Sequence, residues 1–356
     1  MRTSWLTPEQ IQLRYMLNRM HEKGPVSAEQ LAELGVFGAT LPEEYGGLGF
    51  GITEATVIAE ALGRARNTAP YLETAIIAGD LIARLGSDAQ RGRWLPRIAD
   101  GSLKVALAFP EKLHFNLFSP AMTARRTGDG FALDGVKEPV AWAGEADLVL
   151  LNARSENGLS LFLLEAGDLP FSESYGTVDD LPAASLHLSQ HAVPAESLLG
   201  PEGRAADALD EVLHRARIVL AAEQTGLMAH LINVTIDYLK QRRQFGSALA
   251  DFQVLRHRVA DMMLAYEKAA SMMVRARLAG DGPLDDLRRR AALGAALIAK
   301  KSARYVGHEA IQLHGGMGVT EELSVGPTVK RIYALETRLG PIEPAVADHA
   351  CSIYGG

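Results

Sequence analysis

One apolar stripe constrains the fold of this chain more than any other feature. Leu209, Val212, Ala216, Val219, Leu227 and Leu231 recur at three- and four-residue spacing, the period at which one face of an α-helix returns to the same side. The stripe predicts a helix from about residue 204 to Arg243. Two more long helices follow, over about 253–279 and about 284–313, with Gly282-Pro283 breaking the chain between them. Upstream the period changes. Residues 105–109, 130–136, 148–151 and 161–164 are short apolar runs bounded by Gly, Asp and Asn, a spacing that predicts a small β domain ending near 193–200.

Residues 1–104 read as helical. Thr7-Pro8-Glu9-Gln10 places a capping residue, a first-turn proline and an early acid together. Ser27-Ala28-Glu29-Gln30 has the capping-box pattern ahead of Leu31 and Leu34, with Gly24-Pro25 as the preceding breaker. Leu41-Pro42-Glu43-Glu44-Tyr45-Gly46-Gly47-Leu48-Gly49 is too rich in glycine for anything but a loop, and helical periodicity resumes over 53–63, 71–85 and 89–98. The expected fold class is therefore mainly α with a middle β domain: an N-terminal helical domain over 1–104, the β domain over 105–203 and a helical bundle over 204–356. Helices, then strands, then long helices exclude a Rossmann-type βαβ chain.

At 356 residues the chain exceeds what one hydrophobic core serves, which agrees with several domains. A net charge of -7 argues against general affinity for nucleic acid or an anionic membrane surface. No apolar run approaches the ~20 residues of a membrane helix, and the first residues lack the apolar core of a signal peptide. The single cysteine, Cys351, excludes an intrachain disulfide framework and a cysteine-rich metal site. These features predict a cytoplasmic protein without a metal centre.

Two elements carry the chemistry. Arg242-Arg243-Gln244-Phe245-Gly246 closes one long helix, and Gln312-Leu313-His314-Gly315-Gly316-Met317-Gly318 closes another. An arginine fork grips a diphosphate well, yet a pair of cations at a helix C-terminus also complements the helix dipole in plain solvent. Paired glycines let backbone approach a ligand closely, and they also serve as ordinary helix caps.

Together with Asp251-Phe252-Gln253-Val254-Leu255, the Leu41–Gly49 turn and the Val193-Pro194 exit from the β domain, these elements resemble the acyl-CoA dehydrogenase family over nearly the whole chain. The resemblance implies an N-terminal helical domain, a middle β domain and a C-terminal four-helix bundle. It also implies FAD, an acyl-CoA thioester as substrate, a glutamate that removes the α-proton, and an electron-transfer flavoprotein as electron acceptor. On the same basis Arg242, Gln244 and Phe245, with Gln312, Gly315 and Gly316, would meet the pyrophosphate and adenosine half of a flavin held by a neighbouring subunit. Arg217 matches a substrate-side arginine, or is an internal salt-bridge partner.

Three departures accompany the resemblance. Phe109-Pro110-Glu111-Lys112-Leu113-His114 stands where the family has Thr-Glu-Pro and flavin-binding glycines, and Pro110 has neither N–H nor hydroxyl to donate. Pro139-Val140-Ala141 replaces a Trp-Ile-Thr run beside the ring, with Trp142 displaced. At the base, Thr337 takes the family's glutamate position and Glu336 lies one residue early, a turn of about 100° on a helix. Ala216 occupies the alternative base position, and Glu223 lies seven residues on along the buried stripe. There it is either a base of raised pKa or a structurally paired carboxylate. The expected function is a partner subunit of a hetero-oligomeric acyl-CoA dehydrogenase, forming a tetramer with another such chain. The alternatives are a homo-oligomeric enzyme using Glu336 or Glu223, and a flavin oxidase or oxygenase on the same fold.

Overall fold

The computed structural model describes residues 6–22, 26–111, 116–283 and 285–354. The breaker Gly24-Pro25, the segment Lys112-Leu113-His114 and Leu284 lie outside them. Five α-helices come first: α1 (Pro8–Glu22), α2 (Ala28–Glu33), α3 (Ile52–Ala65), α4 (Gly79–Leu85) and α5 (Asp88–Ala99). Eight strands follow: β1 (Val105–Ala108), β2 (Thr123–Arg126), β3 (Gly130–Ala141), β4 (Leu148–Ser155), β5 (Gly158–Glu165), β6 (Tyr175–Gly176), β7 (Pro182–Pro194) and β8 (Leu198–Leu199). The chain then forms α6 (Ala206–Gln241), a hairpin of β9 (Arg243–Gln244) and β10 (Ser247–Ala248), α7 (Gln253–Ala279), α8 (Asp286–His314), α9 (Val325–Thr337) and α10 (Ile342–Tyr354). This is the mainly helical architecture with a middle β domain that the sequence predicts.

The described residues fall into two compact units. One gathers α2, α4, α5, the eight strands and the start of α6 up to Ala216. Its sheet runs β6-β7-β3-β2-β4-β5-β8, with β1 paired in parallel to β4. The central strand β4 is buried at every position but Arg154, which explains why Leu148–Leu151 reads as a continuous apolar run rather than an alternating one. Phe131 and Phe162 meet edge to face in the core, with ring centroids 5.2 Å apart. The longest strand, β7, is not visible as an apolar run. Its buried Leu186 and Leu188 alternate with His187 and Ser189, the period-two pattern of a half-exposed strand.

Ser27 and Ser87 both close capping boxes, on Gln30 and Gln90. Over 71–85 the structure departs from a regular helix: Leu72–Ala78 forms a π-helix before α4 begins. Thr74 sits inside it and accepts the Val105 N–H of β1 at 3.0 Å, so the irregular turn aims a buried hydroxyl at the strand.

The second unit gathers α1, α3 and the chain from Arg217 onward. Here α6 and α3 cross with backbones nearly touching. A Cβ built on Gly226 would lie 2.1 Å from the Glu60 carbonyl oxygen, and one on Gly63 would lie 2.1 Å from that of Glu223. His230, one turn further along α6, has Nε2 2.9 Å from the Ser324 hydroxyl. Burial, with Arg66 and Arg64 adding to it, pushes this imidazole down to about 4.

Two measurements check this packing. Gly226→Ala forces the helices apart and is expected to lower the unfolding free energy by about 1–3 kcal/mol, read from a denaturant midpoint. The folded His230 refuses a proton that the unfolded one takes up below pH 6.5. Its contribution is therefore intact above pH 6.5 and lost progressively toward pH 4, by up to about 3 kcal/mol. His230→Gln should show a correspondingly flatter pH profile of stability than wild type over that window.

Candidate functional site

The C-terminal ends of α6 and α8 meet through their last aromatic residues. Tyr238, one turn before Arg242, stacks on His314 with centroids 4.3 Å apart and planes 29° from parallel. Its hydroxyl donates to the His314 carbonyl at 3.3 Å. His314 is buried, with Nδ1 2.8 Å from the Ala310 carbonyl oxygen, and burial lowers its pKa. The two sequence elements about 70 residues apart are thus joined side by side within one unit.

Beyond Tyr238 the chain turns sharply. Gln244 pairs with Ser247 and Arg243 with Ala248, leaving Phe245-Gly246 as a two-residue loop with φ of 52° and 84°. Such primed turns favour Asn or Gly at the first position, and a bulky residue held there carries backbone strain. Phe245 is 89% exposed and meets the ring of Phe252 at a right angle, 6.2 Å away between centroids. Arg242, Arg243 and Gln244 are exposed beside it, as is Gln312. The glycines of the second element separate by cause. Gly318 packs inward, since a Cβ there would meet Ile311 backbone at 2.7 Å. Gly315 is required by its φ of 61°, and Gly316 faces open space with nothing within 4 Å of a Cβ. An exposed cationic, aromatic and glycine-lined surface of this kind fits the diphosphate and adenine of a dinucleotide.

Both candidate carboxylates are held by arginines. Glu223 accepts two hydrogen bonds from Arg331, from Nε at 3.0 Å and from Nη2 at 2.7 Å. Glu336 is gripped by Arg304 through Nε at 3.1 Å and through Nη2. These contacts occupy acceptor positions on both carboxylates and tie each to a partner on another helix. Arg217 and Glu336 do border one cavity, with Gln224 and Lys300, but its volume of about 30 Å³ holds a water rather than a thioester. Sequence reasoning missed Arg304 and Arg331 because each lies far along the chain from the acid it binds.

In the other unit, the loop after β1 is closed by a buried network. Lys137, fully buried, donates from Nζ to Glu111 Oε1 and to Asn152 Oδ1, both at 2.7 Å. Glu111 also accepts the N–H groups of Ala121 and Met122 at 2.7 and 3.0 Å, and Asn152 donates to the Leu117 carbonyl at 2.8 Å. Burial pushes the Lys137 ammonium down to about 8 against the opposing pull of Glu111. Among the described residues, four backbone positions here offer no donor to a flavin ring. Pro110 and Pro139 have no N–H, the Glu138 N–H is used by the Pro110 carbonyl, and that of Trp142 by the Pro182 carbonyl. Lys112, Leu113 and His114 of the same loop are outside the described residues.

Comparison with known proteins matches two family models: the N-terminal domain of acyl-CoA dehydrogenases over residues 10–102 and their C-terminal domain over 206–348. Acyl-CoA dehydrogenase FadE12 of Mycobacterium tuberculosis is 30% identical over 335 residues, covering 91% of this chain and 86% of that protein. The solved Tcur3481-Tcur3483 steroid ACAD G363A variant superposes with a TM-score of 0.85 at 30% identity, covering 97% of each chain. The ChsE4-ChsE5 complex of Mycobacterium tuberculosis, at 22% identity, shares the fold with a TM-score of 0.86 over 99% of this chain and all of that one.

Lys137→Met leaves Glu111 as a buried carboxylate without its cation and is expected to destabilise the protein by about 3–5 kcal/mol. The double change Lys137→Met with Glu111→Gln should recover part of that loss, measured by chemical denaturation.

Proposed function

The chain belongs to the acyl-CoA dehydrogenase family, a family of FAD-dependent oxidoreductases, and on that premise we propose that it is the flavin-completing subunit of a hetero-oligomeric enzyme. The observation that carries this reading is the outward presentation of the α6 and α8 ends. A strained, 89% exposed Phe245 and a Gly316 with empty space before it are explained by a ligand and a surface outside this chain. The bound flavin supplies the hydride acceptor for α,β-dehydrogenation of an acyl-CoA thioester.

In this role Arg242 neutralises pyrophosphate oxygens and Gln244 donates beside it. Phe245 covers the adenosine edge. Gln312 hydrogen-bonds the same half, and the bare backbone of Gly315 and Gly316 admits it closely. The catalytic base and the contacts to the flavin ring come from the partner, another acyl-CoA dehydrogenase chain in a tetramer. Three features of this chain favour that division: the Arg331 grip on Glu223, the Arg304 grip on Glu336, and the lack of donors at Pro110 and Pro139. Electron-transfer flavoprotein is the acceptor of the reducing equivalents. The two-component name of the 30%-identical steroid ACAD points the same way.

The test is flavin content. Purified alone, the folded chain is expected to be pale, with well under one FAD per chain by its visible spectrum. Purified with its catalytic partner, it should be yellow and bleach on addition of the acyl-CoA. Arg242→Ala should strip FAD from the assembled complex, whereas Glu336→Gln should leave its turnover within about threefold of wild type. One FAD per chain when purified alone, with turnover abolished by Glu336→Gln, would instead establish a self-sufficient homo-oligomer. Recolouring in air after bleaching would mark an oxidase.

A further inference from the structure

Arg242 follows α6 and leads into the β9-β10 hairpin, whereas the Gly315-Gly316 turn follows α8. Two groups that must grip one diphosphate need a fixed separation, because a shift near 1 Å breaks a charge-assisted hydrogen bond. Along the described chain, the contact beside both groups is the stack of Tyr238 on His314. Tyr238 is one helical turn before Arg242, and the Arg242 N–H bonds the Tyr238 carbonyl at 2.8 Å. His314 is the last residue of α8 and is bonded directly to Gly315.

We propose that Tyr238 and His314 are positioning residues that join the α6 hairpin and the α8 glycine turn into one clamp for the diphosphate of FAD. The proposal rests on the reading of Arg242 and Gly315-Gly316 as flavin contacts. The ring stack sets the distance between helix ends, and the Tyr238 hydroxyl fixes the rotation of the turn. That hydroxyl donates to the His314 carbonyl at 3.3 Å, which is part of the peptide group leading into Gly315. His314 in turn is held by its Nδ1 contact to Ala310 at 2.8 Å, so its ring does not swing away when Tyr238 presses on it. Neither ring reaches outward: His314 is 5% exposed, and Tyr238 is partly buried. Their effect on a ligand is therefore through the clamp and not by contact.

The experiment compares Tyr238→Leu, Tyr238→Phe, His314→Leu and Arg242→Ala in the full chain within its flavin-loaded assembly. It reads FAD dissociation from the return of flavin fluorescence on dilution, the visible circular dichroism of the bound flavin, and the thermal midpoint. Tyr238→Leu and His314→Leu are each expected to weaken FAD binding about tenfold or more and to change the dichroism. Tyr238→Phe keeps the stack and loses only the 3.3 Å hydroxyl contact, so it should fall between wild type and Tyr238→Leu, weakening FAD binding by no more than about threefold. If Tyr238→Leu and His314→Leu retain FAD while Arg242→Ala loses it, the clamp inference falls and the flavin reading stands. If Arg242→Ala retains FAD, both fall together. If both leucine variants fail to fold, or Tyr238→Phe loses FAD as fully as Tyr238→Leu, the stack is not what positions the clamp.

Discussion

A carboxylate taken into a helical bundle costs several kcal/mol unless a cation is paired with it, and the helical unit of this protein meets that constraint at α9 twice. Arg331 of α9 reaches Glu223 of α6, and Glu336 of the same helix receives Arg304 of α8. The two pairs face different helices from positions five residues apart, so α9 cannot rotate without breaking one of them. The register of α9 is therefore fixed, and with it the placement of Glu336 against the bundle. The consequence is chemical as well as structural. A carboxylate already accepting from an arginine has fewer acceptor positions to turn toward an α-proton, and geometry comes first for a base.

The protein treats its two kinds of polar feature differently. Inside, buried charges are paired: Lys137, Glu111 and Asn152 use one another and the surrounding backbone, and Arg277 donates to Thr56 and pairs with Glu60 across α3 and α7. At the ends of α6 and α8 it is left open. There the chain holds an aromatic residue in a left-handed conformation and exposes it, along with two arginines and a glutamine. Strain of that sort costs on the order of 1–3 kcal/mol, and it persists because the hairpin of β9 and β10 over-determines the turn. On the proposed reading, the compensating contacts are made when the dinucleotide and the partner surface arrive.

Much of this was legible in the sequence, and for identifiable reasons. Period-based elements came through: the stripe from Leu209 to Leu231 is buried throughout, the capping box at Ser27 forms, and β1, β4 and β5 follow their apolar runs. Elements whose signal is weak in apolar content did not. β7 is built from small and alternating residues, the Leu72–Ala78 π-helix looks like ordinary helix by composition, and β9 and β10 are two residues each. At the site, residue types pointed to the arginine and glycine elements, while their adjacency through Tyr238 and His314 depends on the crossing of two helices. The arginine partners of Glu223 and Glu336 were invisible for the same reason. A charge pair separated by 108 or 32 residues has no local pattern.

The distribution of function over such a chain follows from what each contact requires. Gripping a diphosphate needs charge, hydrogen-bond donors and bare backbone at a surface, and the arginines and glycines just beyond α6 and α8 supply these without any enclosed cavity. Abstracting an α-proton needs a desolvated carboxylate of tuned basicity beside a dry pocket, and ring recognition needs fixed donors at a strand edge. The first set of requirements is met on the exposed ends of α6 and α8. The second meets arginine-bound glutamates and a cavity the size of a water, and the third meets prolines. On the proposed reading, a single active site assembled across a subunit boundary draws its anion grip from this chain and its base and ring contacts from another.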